Sequence, residues 1–117
     1  MASNDTLWVC WPNDNQPGTS AFAEVDLRNN HPVLNFNAGT AWDAIFPVFI
    51  PRNYAGGGVT LSIAATGGTA TSGTMVYTPS FESCGTTQDI DSDSFATGIL
   101  GTLAAPGTTG VFNILSI

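Results

Sequence analysis

The stretch VFIPRNYAGGGVTLSIAATGGTATSGTMVYTPSFES, residues 48–83, decides the fold class. Its only charged side chains are Arg52 and Glu82. Apolar residues alternate with small polar ones over 59–66 and again over 74–82. Such alternation is typical of half-buried antiparallel strands, and the Gly- and Thr-rich residues 67–73 supply turn chemistry. The stretch therefore predicts a hairpin of two strands.

The same alternation recurs outside this stretch, over 21–27 and 111–117. Clusters of Gly, Pro and Asn separate the runs, and apolar residues at helical spacing are nearly absent. Short strands at this spacing favour a sandwich over a βαβ fold. We predict an all-β chain, an antiparallel β-sandwich of jelly-roll type, with residues 1–117 as a single domain.

Residues 41–50 differ from the other runs because they are apolar on both faces and contain Pro47. A strand that is apolar on both faces is covered twice, once by the core and once by another surface, which we predict to be another subunit. Pro47 confines such a strand to an edge, a bulge or a break. The last run, 111–117, is also apolar on both faces, so it is a candidate for pairing with a neighbour's sheet edge. The predicted interface residues are Trp42, Ile45, Phe46, Phe49, Val111, Phe112 and Ile114.

Composition limits the possible partners of this 117-residue chain. Charged residues are 9%, and two Lys and Arg against nine Asp and Glu give a net charge of −7. Phosphate backbones and anionic lipid are bound through cations, so we expect neither nucleic acid nor membrane as a partner. No apolar run is long enough for a membrane-spanning helix, and no secretory signal is visible.

An acidic triplet is the most suggestive metal motif. Asp89, Asp91 and Asp93 begin like a calcium loop, but Ser94 and Leu100 stand where an EF-hand has Gly and Glu. The simpler interpretation is a solvated loop whose carboxylates cap nearby backbone N–H groups. We predict no metal site and no cofactor.

Catalytic patterns are equally weak. His31 has no Ser or Cys nucleophile motif near it, and reads as a hydrogen-bonding surface residue on a turn. Glu24 with Asp26, or Asp43 with Glu82, could form a glycosidase-type pair, but nine scattered carboxylates always offer some pair. We predict no catalytic residues and no enzymatic activity.

Cys10 and Cys84 are the only cysteines. They lack the spacing of a metal site, and without an export signal we predict two reduced, buried thiols rather than a disulfide. Among the aromatic residues, Trp11 beside Pro12 in a turn is the one that we predict to be exposed. Trp11 and Tyr54 could stack on sugar rings, which keeps a glycan-binding function open.

A family resemblance rests on Ile50–Val59, Ala70–Thr74, Ser80–Glu82 and Asp91–Phe95. Over roughly residues 40 to 100 the chain resembles small jelly-roll virion proteins of tailed bacteriophages. The resemblance implies a structural role, commonly the decoration or cementing of the capsid by homotrimers that bind the major capsid protein. It also implies assembly in the host cytoplasm and a place on the virion surface.

The sequence therefore leaves two binding functions in order of preference. The first is a capsid decoration protein that stabilises the head shell as a homotrimer. The second is a carbohydrate- or host-receptor-binding module of a phage tail or fibre. A catalytic role explains no feature that these two leave unexplained.

Overall fold

The structure is a computed structural model that describes residues 9–15, 18–50, 54, 56–92 and 94–117. The chain divides into two compact units, an N-terminal unit of residues 1–56 and a C-terminal unit of residues 57–117. Both contain antiparallel two-stranded ladders, and the only helical element among the described residues is one short 3-10 turn. The prediction of an antiparallel all-β chain is confirmed.

A β-hairpin is the main element of the N-terminal unit. Strand β1 (Glu24–Arg28) runs antiparallel to β2 (His31–Asn35). The loop residues Asn29 and Asn30 have φ of 48° and 63°, the left-handed values that a type I′ turn requires. Asparagine enters this region more readily than most residues, so the local sequence specifies the turn.

Along this hairpin, successive residues point their backbone N–H and C=O groups alternately towards the partner strand and away from it. Because a two-residue loop closes on a hydrogen-bonded pair, Arg28 and His31 exchange backbone bonds, and every second pair along the ladder does the same. The backbone groups of Val25 and Leu27 therefore point to the outer edge of β1, away from β2. Pro32 holds the outward position on β2, where a missing N–H costs no ladder bond.

The residues before β1 are held by the segment around Asp43. Ala23 N–H donates to Asp43 O over 2.7 Å, and Asp43 N–H donates to Ala21 O over 2.8 Å. The result is an isolated parallel bridge between Phe22 and Asp43. The 3-10 turn η1 (Pro12–Asp14) lies earlier in the same unit.

The C-terminal unit contains four strands in two nested ladders. They are β3 (Ser62–Ala65), β4 (Thr74–Tyr77), β5 (Gly101–Ala104) and β6 (Asn113–Ser116). The inner ladder joins β4 to β5, and the outer ladder joins β3 to β6, both antiparallel. The first and last strands of the unit therefore enclose the middle two in pairing order.

Backbone bonds extend the inner ladder beyond its regular strands. Ala105 N–H donates to Gly73 O over 2.9 Å at one end, and Ile99 N–H donates to Pro79 O over 3.0 Å at the other. Ala96 N–H then donates to Phe81 O over 2.9 Å. This last bond is one residue out of register with the others, which is the signature of a β-bulge.

The two ladders of the C-terminal unit pack through their half-buried faces. Burial alternates residue by residue in all four strands. β5 lies against β6, and Asn113 Nδ2 donates to Ala104 O over 2.8 Å. A Cβ at Gly101 would lie 2.9 Å from Leu115 Cδ2 and press on Ile117 Cδ1, so glycine permits this close approach. The larger half-buried apolar side chains of the four strands are Ile63, Met75, Tyr77, Leu103 and Leu115.

Several strand assignments from the alternation are confirmed in position, but their partners are not. The predicted hairpin of 59–66 with 74–82 is wrong, because β3 pairs with β6 and β4 with β5. The run over 111–117 supplies β6, which pairs with β3 along one edge, and its pairing with a neighbour along the other edge stays a prediction. Alternation fixes which face of a strand is apolar but carries no information on its partner.

The predicted strand over 41–50 is also wrong. Only Asp43 forms a bridge, and the residues that follow it are irregular. Pro47 has no N–H, and the Ile45 N–H is taken by a side chain, so the segment cannot form a continuous ladder. That the two units together form one sandwich domain of jelly-roll type stays a prediction.

Candidate functional site

A buried asparagine organises the N-terminal unit. Asn15 is 6% exposed and Ala23 is 1% exposed, so both are buried. Asn15 Nδ2 donates to Ala23 O over 3.1 Å, and Asn15 Oδ1 accepts from Ile45 N–H over 2.9 Å. One amide therefore ties three separate parts of the chain together. No sequence motif signalled this residue.

The apolar segment of residues 45–50 begins at this anchor. Ile45 is exposed, whereas Trp42 and Phe46 are half-buried. Phe49 is 94% exposed, and Val48 and Ile50 beside it are also exposed. The structure thus divides the predicted interface residues here into two half-buried side chains and two exposed ones. We call residues 45–50 the apolar segment.

The other predicted interface residues lie on the C-terminal unit. Val111 and Phe112 precede β6, and Ile114 points to the outward side of that strand; all three are exposed. The start of this run is fixed by Gly110 N–H, which donates to Thr66 Oγ1 over 3.0 Å. These three exposed apolar residues lie close together in the sequence and belong to a different unit from the apolar segment.

Exposed apolar side chains are common throughout the described residues. Single exposed residues are ordinary on any protein, but this chain has many in both units. They are Val9, Trp11, Val25, Leu27, Phe36, Ile45, Val48, Phe49, Ile50, Val59, Val76, Phe81, Ile90, Phe95, Ile99, Leu100, Val111, Phe112 and Ile114. Much of the hydrophobic content that the sequence provides is therefore not used in a core.

The two candidate sugar-stacking residues differ in accessibility. Trp11 is 64% exposed, which confirms that it is an exposed aromatic, although Phe49 exceeds it. The Trp11 backbone N–H donates to Asp14 Oδ2 over 3.2 Å, which fixes the position of the residue at the start of η1. Tyr54 is half-buried, and its neighbours 51–53 and 55, including Arg52, lie outside the described residues.

The acidic loop has the local capping that its simpler interpretation predicts. Asp89 Oδ1 accepts from Asp91 N–H over 3.0 Å, and Asp89 O accepts from Ser92 N–H over 3.1 Å. Asp93 lies outside the described residues. Within the part of the chain that the structure describes, no group of three or more His, Cys, Asp or Glu could hold a metal ion.

The candidate catalytic side chains are engaged in local bonds. Asp26 Oδ2 accepts from Asn35 Nδ2 over 2.9 Å, and Asp26 Oδ1 accepts from Leu27 N–H over 2.7 Å. His31 Nδ1 lies 2.8 Å from Asn29 O, which confirms it as a hydrogen-bonding surface residue, although it begins β2 rather than lying in the turn. Both carboxylate oxygens of Asp26 thus stabilise the hairpin itself.

The cysteines are exposed and form no disulfide, so the prediction that they are buried is wrong. Partial desolvation, with a smaller contribution from the negative charge of Asp14, raises the pKa of the Cys10 thiol. A raised pKa lowers the thiolate fraction and hence the reactivity at neutral pH. Cys84 Sγ lies 3.8 Å from Glu82 Oε1, a second thiol beside a carboxylate.

No protein-family model, curated protein or solved structure matches this chain. The described residues contain no helix that is both long enough and apolar enough to cross a bilayer.

Proposed function

We propose that this chain is a structural protein of a tailed-phage virion, a homotrimer that binds the major capsid protein and stabilises the head shell. The observation that carries the proposal is the exposed apolar surface, with Phe49 at 94% exposure as its extreme. Monomeric soluble proteins rarely leave large contiguous apolar patches in water, whereas subunits of assemblies cover them at interfaces. The resemblance to phage virion proteins supplies the kind of assembly.

The apolar segment is the proposed trimer contact. It joins the N-terminal unit through Ile45 and Asn15, so its base is fixed while Phe49 projects into solvent. Large aromatic side chains that fill a neighbour's pocket provide much of the binding energy at protein interfaces. A specific contact buries on the order of 800 Å² per partner, which one segment of six residues supplies only together with surrounding surface.

The test of the trimer is a pair of aspartate substitutions in neighbouring phenylalanines. Phe49→Asp replaces a side chain that the subunit exposes, so we expect the subunit to keep its fold by circular dichroism but to lose the trimer by light scattering at micromolar concentration. Phe46→Asp is the matched control, since Phe46 is half-buried and a charge there lowers stability itself. A wild-type chain that scatters as a monomer contradicts the proposal.

Capsid binding is proposed to be apolar rather than ionic, because two cations and a net charge of −7 offer little positive surface. The probe is a shell of the phage that encodes the chain, stripped of its minor surface proteins. We expect rebinding to survive 1 M salt, where the screening length is about 3 Å. Phe112→Asp, on the surface of the C-terminal unit, is expected to weaken it. If 1 M salt abolishes binding of the wild-type chain while the Phe112→Asp variant still binds at low salt, the contact is ionic and the proposal is wrong.

A second function, glycan binding by a tail or fibre module, is favoured by the exposed indole of Trp11. Aromatic faces stack on sugar rings, and the neighbouring Asp14 supplies a polar group. A glycan array followed by titration of any oligosaccharide that binds tests this function. Affinity that is lost in Trp11→Ala and kept in Phe49→Asp would establish it against the capsid proposal.

A further inference from the structure

The outer edge of β1 has backbone groups that no other strand uses. Val25 and Leu27 point their N–H and C=O groups to this edge, because their neighbours in the strand bond to β2. On the same edge, just before β1, Ala23 N–H donates to Asp43 O and Ala23 O accepts from Asn15 Nδ2. Among the described residues, no backbone hydrogen bond reaches Val25 or Leu27 from this side.

Each edge of the hairpin is blocked by a different device. On β2, Pro32 stands in the outward position and has no N–H to offer, so the block is permanent. On β1, the outward N–H of Leu27 is capped by Asp26 Oδ1 over 2.7 Å. The Asp26 carboxylate is held in place by Asn35 Nδ2 at 2.9 Å, a diagonal neighbour on β2. A side-chain cap, unlike a proline, can be removed.

We propose that the outer edge of β1 is a docking surface for a second copy of this chain, and that Asp26 keeps it closed. The sequence of β1, EVDLR, is complementary to itself when two copies run antiparallel about Asp26. Glu24 of each copy then faces Arg28 of the other. Opposite charges directly across an antiparallel pair stabilise it.

The hydrogen bonding fits the same register. Val25 of one copy lies opposite Leu27 of the other, and both residues already point their backbone groups outward. Each such pair exchanges two N–H···O bonds. Val25 and Leu27 are both exposed, so the pairing also extends their apolar face across the two copies.

Asp26 opposes this pairing in two ways. Its carboxylate occupies the Leu27 N–H that the second copy needs. In the complementary register Asp26 also stands directly opposite Asp26 of the second copy, and like charges at that distance are destabilising. The inference uses residues outside the proposed trimer contact and does not depend on the proposed function.

Removal of the carboxylate is the first test. By sedimentation velocity at micromolar concentration, we expect Asp26→Ala to have about twice the wild-type mass, as a two-fold contact requires. Asp91→Ala removes the same charge from the acidic loop and is expected to keep the wild-type mass. Circular dichroism establishes that each variant is folded. A folded Asp26→Ala chain with the wild-type mass overturns the proposal.

Two further changes in the Asp26→Ala background identify the edge itself. Leu27→Pro removes the outward N–H as Pro32 does on β2, without touching a bond to β2, so it should restore the wild-type mass. Arg28→Glu should also restore it, by placing Glu24 opposite a second glutamate. Adding Glu24→Arg to Arg28→Glu re-creates opposite pairs and should double the mass again. If the Asp26→Ala chain keeps its increased mass in the presence of Leu27→Pro or Arg28→Glu, the copies do not pair along β1.

Discussion

The hairpin of the N-terminal unit and the nested ladders of the C-terminal unit use the same alternating pattern with different results. In the hairpin, Val25 and Leu27 alternate with charged residues, yet both remain exposed. In the ladders, every second residue is half-buried, because a second ladder packs against that face. An alternating strand therefore buries its apolar face only where the chain supplies an opposing layer.

The hairpin consequently depends on other contacts. A two-stranded hairpin alone is marginally stable in water. Here it is supported at the start of β1 by the bonds among Asn15, Ala23 and Asp43. The C-terminal unit needs no single residue of this kind, because its two ladders cover each other. The comparison predicts that polar anchoring dominates stability in one unit and side-chain packing in the other.

The largest effect is expected at Gly101, where two side chains occupy the space that a Cβ would need. In Gly101→Val the new side chain meets Leu115 and Ile117, so we expect the free energy of unfolding to fall by about 3 kcal/mol. Gly107→Val is the control, since a Cβ there meets no atom within 4 Å. Amide hydrogen exchange should locate the loss in the C-terminal unit. Equal losses in the two variants would mean that the packing at Gly101 is not tight.

The buried amide is expected to have the next largest effect. Asn15→Ala leaves Ala23 O and Ile45 N–H without their partner, so we expect a loss of about 2 kcal/mol, seen as faster exchange in the N-terminal unit. Asn37→Ala is the control, because Asn37 is exposed and makes one local bond to Gly39 N–H. If Asn15→Ala and Asn37→Ala lower the free energy of unfolding equally, the hydrogen bonds of Asn15 are not what stabilises this unit.

A matched pair of leucines compares the two units directly. Leu103 on β5 is half-buried and Leu27 on β1 is 63% exposed. We expect Leu103→Ala to lower the free energy of unfolding by about 1–2 kcal/mol, less than a fully buried leucine would. Leu27→Ala should cost under about 0.5 kcal/mol. Urea denaturation of both variants measures the difference. If Leu27→Ala lowers the free energy of unfolding as much as Leu103→Ala does, the apolar face of the hairpin is covered.

High pH offers a smaller effect that is specific to the C-terminal unit. Burial raises the pKa of Tyr77 above its ordinary value. The fold therefore favours the neutral phenol, and this stabilisation is complete below the pKa of unfolded tyrosine, about 10. It is lost as pH rises through the higher folded pKa. We expect the melting temperature of the wild-type chain to fall as pH rises above about 10, and the melting temperature of Tyr77→Phe to fall less over the same range. Identical pH profiles would contradict this.

The sequence predicted strands where alternation was unbroken and missed those where it was masked. β3, β4 and β6 fall within predicted runs, and β1 begins in the run over 21–27 and ends one residue beyond it. β2 lies in none of the predicted runs, because Pro32 disfavours a strand and is tolerated here only at an outward edge position. β5 was missed because GTLA has one β-branched residue and begins with glycine.

For the candidate site residues, the sequence predicts solvent exposure but not contacts between distant segments. Trp11 follows from its place in a turn, and its exposure was predicted correctly. Asn15 could not be recognised, because its role depends on three segments that only the fold brings together. The apolar density of residues 45–50 was evident in the sequence, but its lack of strand structure depends on where Ile45 N–H finds its acceptor.

The nested pairing of the C-terminal unit has a consequence for the order of folding. Joining β4 to β5 closes a loop from Tyr77 to Gly101, whereas joining β3 to β6 first would close one from Ala65 to Asn113. Loop closure costs more entropy as the loop lengthens, and an inner ladder already formed shortens the outer loop. We expect the unit to fold from the inside outwards, so φ-values from rate measurements should be higher for Met75 and Leu103 than for Ile63 and Leu115.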